Sequence, residues 1–370
     1  MCKRFLICGC ILALLVVPVR AEELVLSSAS AVVLEVDSGA VIYAKDMYTP
    51  RPMASTTKLM TALVAVEQLP TDMMVKVSSA AVAVEGSSLG LHAGDTLSLA
   101  DLLTGLLLSS GNDAANAVAE TVAGNIPAFT RLMNEKADAL GMQNSGFVTP
   151  SGLDAKGHAA SAYDMALLGC AVLQNAFLQQ VCATKTAKIS VSARDVWLKN
   201  HNRLLTLSDA CIGLKTGFTK KAGRCLVSAA ERDGVTIVVA TLNGGDYWND
   251  HLKLYEYAFS RLESVTPQIL SLPPLQVAGG MAETVAVETP SLPSVTVPKG
   301  EKVAVTVQMP AFVWAPITAG DTVGTVICRY GDRETVVPVT AKETVALRPR
   351  LAVSARFWIH LKRIARESLS

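Results

Sequence analysis

Residues 54–68, ASTTKLMTALVAVEQ, carry a helix pattern with a polar front end. Leu59, Leu63 and Val66 recur at the spacing of a buried helical face. Ahead of them stand Ser55 and, three positions on, Lys58, two neighbours on one side of a helix. A hydroxyl is a weak nucleophile until a nearby base takes its proton. A lysine buried beside it supplies such a base, because lost hydration lowers its pKa. A helix start adds free backbone N–H groups and the positive end of the dipole, which favour a developing oxyanion. Read alone, Ser-x-x-Lys more often means a capping serine followed by a solvated lysine, so the rest of the chain has to decide.

Two further stretches bear on that choice. SSGND (109–113) puts Ser110, Gly111 and Asn112 at a break between two predicted helices, within SLADLLTGLLLSSGNDAANAVAETVAG (98–124). Ser98 reads as the cap of the first helix and Gly124 as the stop of the second. GLKTGFT (213–219) puts Lys215, Thr216 and Gly217 at the front of a strand. There Gly217 lets a ligand backbone approach closely and Lys215 supplies positive charge. Ser-x-x-Lys, Ser-x-Asn and Lys-Thr-Gly, in that order, form the signature shared by class A β-lactamases and penicillin-binding proteins. Histidine offers no competing base. His92, His158, His201, His251 and His360 all lie outside G-x-S-x-G or any other recognisable triad context.

Outward from these motifs, SAVVLEVDSGAVIYAKD (30–46) reads as two apolar strands around a turn at Asp37-Ser38-Gly39. Residues 128–140 and 161–180 are predicted helices. GLKTGFT, GRCLVSAAE and VTIVVATL are predicted strands, the last two joined at Arg232-Asp233-Gly234. A sheet with helices packed on it, in mixed order, predicts an α/β or α+β domain over residues 22–263. Beyond Thr266 the chain turns rich in Val, Thr, Pro and Gly, which predicts a small all-β domain over 267–347 with no clustered chemistry. In RFWIHLKRIARESLS (356–370), Phe357, Trp358, Leu361, Ile364 and Ala365 share one helical face, while Arg356, Lys362, Arg363 and Arg366 crowd the remainder. Residues 351–370 are therefore expected to form a basic amphipathic helix lying in a membrane interface, too short and too charged to span it. At the other end, Lys3 and Arg4, an apolar run to Val17, Pro18 and then Val19-Arg20-Ala21 read as a secretory signal over 1–21.

The chain has 370 residues, half of them hydrophobic, and a formal net charge of +1. That balance permits a large core and gives no electrostatic reason to expect a nucleic acid partner. Three of the eight cysteines lie in the predicted signal. The other five, Cys170, Cys182, Cys211, Cys225 and Cys328, are widely spaced and odd in number. No Cys or His pattern among them suggests zinc, and buried free thiols are expected.

Taken with the longer stretches MASTTKLMTALVA, EGSSLGLHAGDTLSLADLLTGLLLSSGNDAANAVAE, PSGLDAKGHAASAYDMA and GLKTGFTKKAGRCLVSAAERDGVTIVVATLN, the three motifs make the chain resemble the low-molecular-mass penicillin-binding proteins. These are serine-type D-alanyl-D-alanine carboxypeptidases. The resemblance covers nearly the whole chain after the signal and extends to the β-rich domain and basic tail. It implies that Ser55 is the nucleophile and Lys58 the base of acylation. Ser110 would relay a proton to the leaving D-alanine, and Asn112 would hold the substrate amide. Lys215 would support the Ser110 hydroxyl and, with Thr216, receive the terminal carboxylate. The backbone N–H groups of Ser55 and Phe218 would form the oxyanion hole beside Gly217. No metal or other cofactor is implied. The implied partners are peptidoglycan stem peptides ending in D-Ala-D-Ala, β-lactams as inhibitors, and the outer face of the cytoplasmic membrane. Gly111 stands where β-lactamases have Asp. No glutamate occurs between Lys136 and Ala230, where a β-lactamase would carry the residue that activates its deacylating water. An endopeptidase of the same superfamily, or an idle wall-binding or penicillin-sensing protein on that scaffold, shares the same motifs.

Overall fold

The computed structural model describes residues 24–269 and 271–349. The predicted signal (1–21) and basic tail (351–370) lie outside the described residues. The first domain is organised by a five-stranded antiparallel sheet: β1 Ser30–Glu35, β2 Val41–Lys45, β3 Cys211–Thr219, β4 Gly223–Arg232 and β5 Val235–Gly244. The spatial order is β2-β1-β5-β4-β3. The N-terminal hairpin thus adds to a meander made nearly two hundred residues later, with Val32 opposite Ala240 and Leu34 opposite Val238.

Every residue of β1 is buried, which is why its sequence is apolar nearly throughout. Val32 and Leu34 face one core, Ala31 and Val33 the other, as the two-residue period of a strand dictates. The first core receives helices α1 Lys58–Gln68, α2 Leu99–Leu108, α3 Asn112–Ala123, α4 Ile126–Ala139, α5 Ala162–Leu173 and α6 Ala176–Ala183. The second is closed by α7 Tyr247–Phe259. The Ser98 hydroxyl accepts the Asp101 amide at 3.0 Å to cap α2, and Gly124 ends α3 with φ 77°, both as the sequence indicates.

Two local features differ from expectation. The helix predicted over 161–180 is two, because Asn175 accepts the Leu178 amide at 3.0 Å and starts a new helix. A hairpin, Thr186–Val191 with Arg194–Lys199, is absent from the sequence reading. Its first strand does alternate, with Ala187, Ile189 and Val191 set against exposed Lys188 and Ser190, but the hairpin buries few side chains, chiefly Ile189, Val191 and Leu198.

The expected all-β domain comes next. Leu262–Val265 pairs with Val295–Pro298. A three-stranded sheet (Leu275–Ala278, Thr284–Val285, Phe312–Trp314) and a four-stranded one (Val287–Glu288, Ala304–Gln308, Thr322–Tyr330, Arg333–Ala341) share a core containing Val285, Val326, Cys328 and Val339. All five cysteines after the signal are free thiols, Cys170 half-buried and the others buried, as expected.

Candidate active site

Ser55 sits in a short 3-10 turn, Ala54–Thr57, and Lys58 opens α1. Lys58 is completely buried while Ser55 stays partly exposed, so the solvated-lysine reading does not hold. Its Nζ lies 2.9 Å from Ser55 Oγ, 2.8 Å from Asn112 Oδ1 and 2.6 Å from the Ser151 carbonyl oxygen. Burial first, and then the charge of Lys215, hold its pKa well below that of an ordinary lysine, with Asp113 pulling the other way. A neutral amine has two N–H groups and one lone pair. In the neutral form, giving both hydrogens to Asn112 and Ser151 would leave the lone pair for the Ser55 hydroxyl. The packing thus favours the uncharged form of the Lys58 amine.

The seat of Ser55 is held from beneath. Ala54 adopts a left-handed φ of 49°. Gly152 approaches it so closely that an added Cβ would lie 2.0 Å from the Ala54 carbonyl oxygen. His158 Nδ1 accepts the Val148 amide at 3.0 Å, so its proton resides on Nε2. That proton is donated to Thr57 Oγ1 at 2.9 Å, and Thr57 donates in turn to the Ala54 carbonyl at 2.8 Å. Burial holds the imidazole neutral, its pKa lowered to about 4. The 150–153 segment is fixed again where Thr61 donates to the Pro150 carbonyl at 2.6 Å. His158 is therefore a support for the turn that carries Ser55. Sequence reasoning missed this role, because its partners lie far away in the chain.

The opposite wall comes from the break between α2 and α3. Ser110 is buried with a left-handed φ of 63°, a conformation that keeps the two helices from merging. Besides accepting from Lys58, Asn112 donates its Nδ2 to the Glu85 carbonyl at 2.7 Å, and its amide to that of Ser87 at 2.7 Å. Asp113, which the motifs do not single out, organises that loop. Its carboxylate accepts the amides of Leu89, Gly90 and Leu91 at 2.8, 3.1 and 3.1 Å, and the Ser88 hydroxyl at 2.6 Å.

The third wall is β3, the edge strand of the sheet. A Cβ on Gly217 would lie 2.9 Å from the Ser55 nitrogen and 3.0 Å from the Met53 carbonyl oxygen. Only glycine lets this strand lie against the turn that carries Ser55. Lys215 is buried and donates to the Thr216 carbonyl at 3.1 Å. Burial lowers its pKa to about 8, so much of it stays charged near neutrality. Among the described residues, no direct hydrogen bond joins it to Ser110. Thr216 is half-buried, and Phe218 is 62% exposed with the Arg224 guanidinium 5.8 Å from its ring. The amide of His201 donates to the Leu108 carbonyl at 3.3 Å, tying the segment before β3 to the end of α2. The structure thus draws Ser55, Lys58, Asn112, Lys215 and Gly217 around one cleft, with Ser110, Thr216 and Phe218 on the segments that form its walls.

A serine hydroxyl against a buried lysine, walled by Ser-x-Asn and a Lys-Thr-Gly edge strand, belongs to a chain with known relatives. Residues 18–245 match the family described as D-alanyl-D-alanine carboxypeptidase (peptidase S11), and residues 272–347 match the C-terminal domain of penicillin-binding protein 5. The chain belongs to the D-alanyl-D-alanine carboxypeptidase family. It is 32% identical over 254 residues to the D-alanyl-D-alanine carboxypeptidase DacF of Bacillus subtilis, covering 66% of this chain and 65% of that one. It is 36% identical over 221 residues to a D-alanyl-D-alanine endopeptidase of Pseudomonas aeruginosa, covering 58% and 71%. The match thus spans just under two thirds of the Bacillus relative. Among solved structures, the carboxypeptidase DacD of Francisella tularensis aligns with TM-score 0.63 and 29% identity over 89% of this chain and 96% of that one. Penicillin-binding protein 5 of Haemophilus influenzae aligns with TM-score 0.64 and 25% identity over 87% and 98%.

Proposed function

We propose that this chain is a serine-type D-alanyl-D-alanine carboxypeptidase that removes the terminal D-alanine from peptidoglycan pentapeptides and is acylated by β-lactams. The observation that carries the reading is the fully buried Lys58 amine 2.9 Å from Ser55 Oγ, its other neighbours both acceptors. Ser55 Oγ attacks the carbonyl of the penultimate D-alanine while Lys58 takes the hydroxyl proton. The negative oxygen so formed is met by the backbone N–H groups of Ser55 and Phe218. The C–N bond then breaks, Ser110 passes a proton to the departing D-alanine nitrogen, and water hydrolyses the ester left on Ser55. Lys215 and Thr216 receive the terminal carboxylate, and Asn112 holds the substrate amide.

The family resemblance and the predicted signal support an exported enzyme, held at the outer face of the cytoplasmic membrane by residues 351–370. Truncation before Leu351 should release the protein from membranes and leave penicillin binding unchanged. The test of the activity is release of free D-alanine from a pentapeptide ending in D-Ala-D-Ala, with mass spectrometry of a penicillin adduct. An adduct on a serine other than Ser55, or none, overturns the assignment. A second reading, cleavage of D-alanyl cross-links, is favoured by the likeness to the Pseudomonas endopeptidase. Cleavage of a cross-linked dimer without attack on the pentapeptide would select it.

A further inference from the structure

The β-rich domain exposes an aromatic surface that its own core does not use. Trp314 is 71% exposed and Phe312 47%, on the edge strand Phe312–Trp314 of the three-stranded sheet. Their rings meet edge to face with centroids 5.4 Å apart, while Val313 between them turns inward to the core. The strand belongs to an uncharged run, MPAFVWAPI (309–317), with Pro310 and Pro316 flanking it. Prolines at an edge discourage pairing with another strand, so the surface is not built to extend the sheet.

Its neighbours continue the pattern. Trp314 is opposite Ala278, and the Ala315 amide donates to the Ala278 carbonyl at 3.0 Å. Two residues on, Gly280 bridges to Leu347, and the Met281 amide donates to the Ala346 carbonyl at 2.9 Å. Met281 is 62% exposed and Leu347 57%. Across the segments 275–282, 309–317 and 345–349 the single charge is Arg348. The Arg348 amide is itself tied to the Gly279 carbonyl at 2.8 Å, so the chain leaves the domain beside this surface. Residues 350–370, next along the chain, hold Arg350, Arg356, Lys362, Arg363 and Arg366 against one acid, Glu367.

We propose that Phe312, Trp314, Met281 and Leu347 form a second membrane-contacting surface, which seats the β-rich domain in the interface of an anionic bilayer beside the basic tail. This rests on the proposed anchoring role of residues 351–370 and extends it from a tether to a fixed seat. Tryptophan and phenylalanine suit the headgroup level, where one side of the ring is wet and the other apolar. The surface segments carry one cation, Arg348, the exposed Glu283 being the next residue after 282, and the described chain leaves the domain at Arg348 beside them, as attraction to anionic lipid requires. A tail alone would leave the domain free to swing. Two contacts on one face fix its orientation.

The test uses the processed protein isolated from host membranes and vesicles of phosphatidylglycerol and phosphatidylethanolamine. In a variant whose sole tryptophan is Trp314 (Trp197, Trp248 and Trp358→Phe), emission should shift to the blue on binding. It should also be quenched by lipids brominated near the top of the acyl chain. Trp314→Glu should weaken vesicle affinity at least fivefold, with unchanged melting temperature and penicillin acylation. A companion variant retaining only Trp358 reports on the tail. Quenching of Trp358 with Trp314 unmoved overturns this proposal and leaves the anchor standing, whereas absence of vesicle binding overturns both. A blue shift of Trp314 without lipid, rising with protein concentration, would assign the surface to a second copy of the chain instead.

Discussion

Replacing Asp113 with asparagine removes one charge from a site where the carboxylate does two separable jobs. The first is structural: one oxygen faces the Gly90 and Leu91 amides at 3.1 Å each and the Ser88 hydroxyl at 2.6 Å. An amide nitrogen placed there meets donors with a donor. Ser88 rotates to accept and Gly90 is exposed to water, but the buried Leu91 amide has no second partner. One buried unsatisfied donor together with the loss of charge-assisted bonds costs about 3 kcal/mol. For a domain of this size that lowers the melting temperature by roughly 6–12 °C. The second job is electrostatic. Asp113 raises the Lys58 pKa against the larger effects of burial and Lys215. Without its charge the Lys58 pKa falls further, so the acid limb of the acylation profile should move to lower pH. Circular dichroism melting and stopped-flow acylation with a fluorescent penicillin, from pH 5 to 9, read the two effects independently. A melting shift below about 2 °C, or a limb that moves to higher pH, refutes this account of the wall.

Lys58→Ala should leave the protein folded and slow acylation by at least ~10²–10⁴-fold, the usual contribution of a general base; near-normal acylation would put the base elsewhere. Gly217→Ala puts a methyl group 2.9 Å from the Ser55 nitrogen, and neither backbone yields cheaply. Acylation should fall at least about tenfold through misplacement of β3, and an unchanged rate constant would show that the strand does not set the geometry. His158 binds a proton only near pH 4 in the folded protein but near 6.5 when unfolded. The unfolded chain therefore takes up protons first as pH falls, and its share of stability, full above 6.5, is lost by pH 4. That share is about 3 kcal/mol. Urea midpoints measured across this range should drop for the natural protein and drop less for His158→Gln; identical curves would mean the histidine is not held neutral.

How far the sequence discloses the site depends on where each residue finds its partner. Ser55 and Lys58 were legible because their spacing alone makes them neighbours, and Ser110, Asn112, Lys215 and Gly217 because the motif order carries chemical meaning. His158 and Asp113 were not. His158 works by holding Thr57, a hundred residues away, and Asp113 by collecting backbone amides from a loop some twenty-five residues earlier. A side chain whose partner is another segment's backbone leaves no spacing to read. Strands β1, β3, β4 and β5 were legible as apolar runs because most of their residues are buried, whereas the short alternation of Thr186–Val191 went unread, its hairpin burying only a few side chains. The broken helix at Asn175 was a cap mistaken for an interior residue.

The pairing of β1 with β5 also governs when the candidate site comes into being. Residues 30–35 wait for residues 237–242 before their backbone groups are satisfied, and Ser55 waits for Gly217 before its cleft has a third wall. Contacts so distant in sequence are slow to form and cannot be approximated by an early fragment. A nascent chain emerging N-terminus first exposes Ser55 long before the edge strand exists, yet without that strand the carboxylate and oxyanion sites proposed above are missing. Chain completion would thus act as a timing device for the proposed activity: the arrangement around Ser55 is assembled only when the last strand of the first domain closes the sheet.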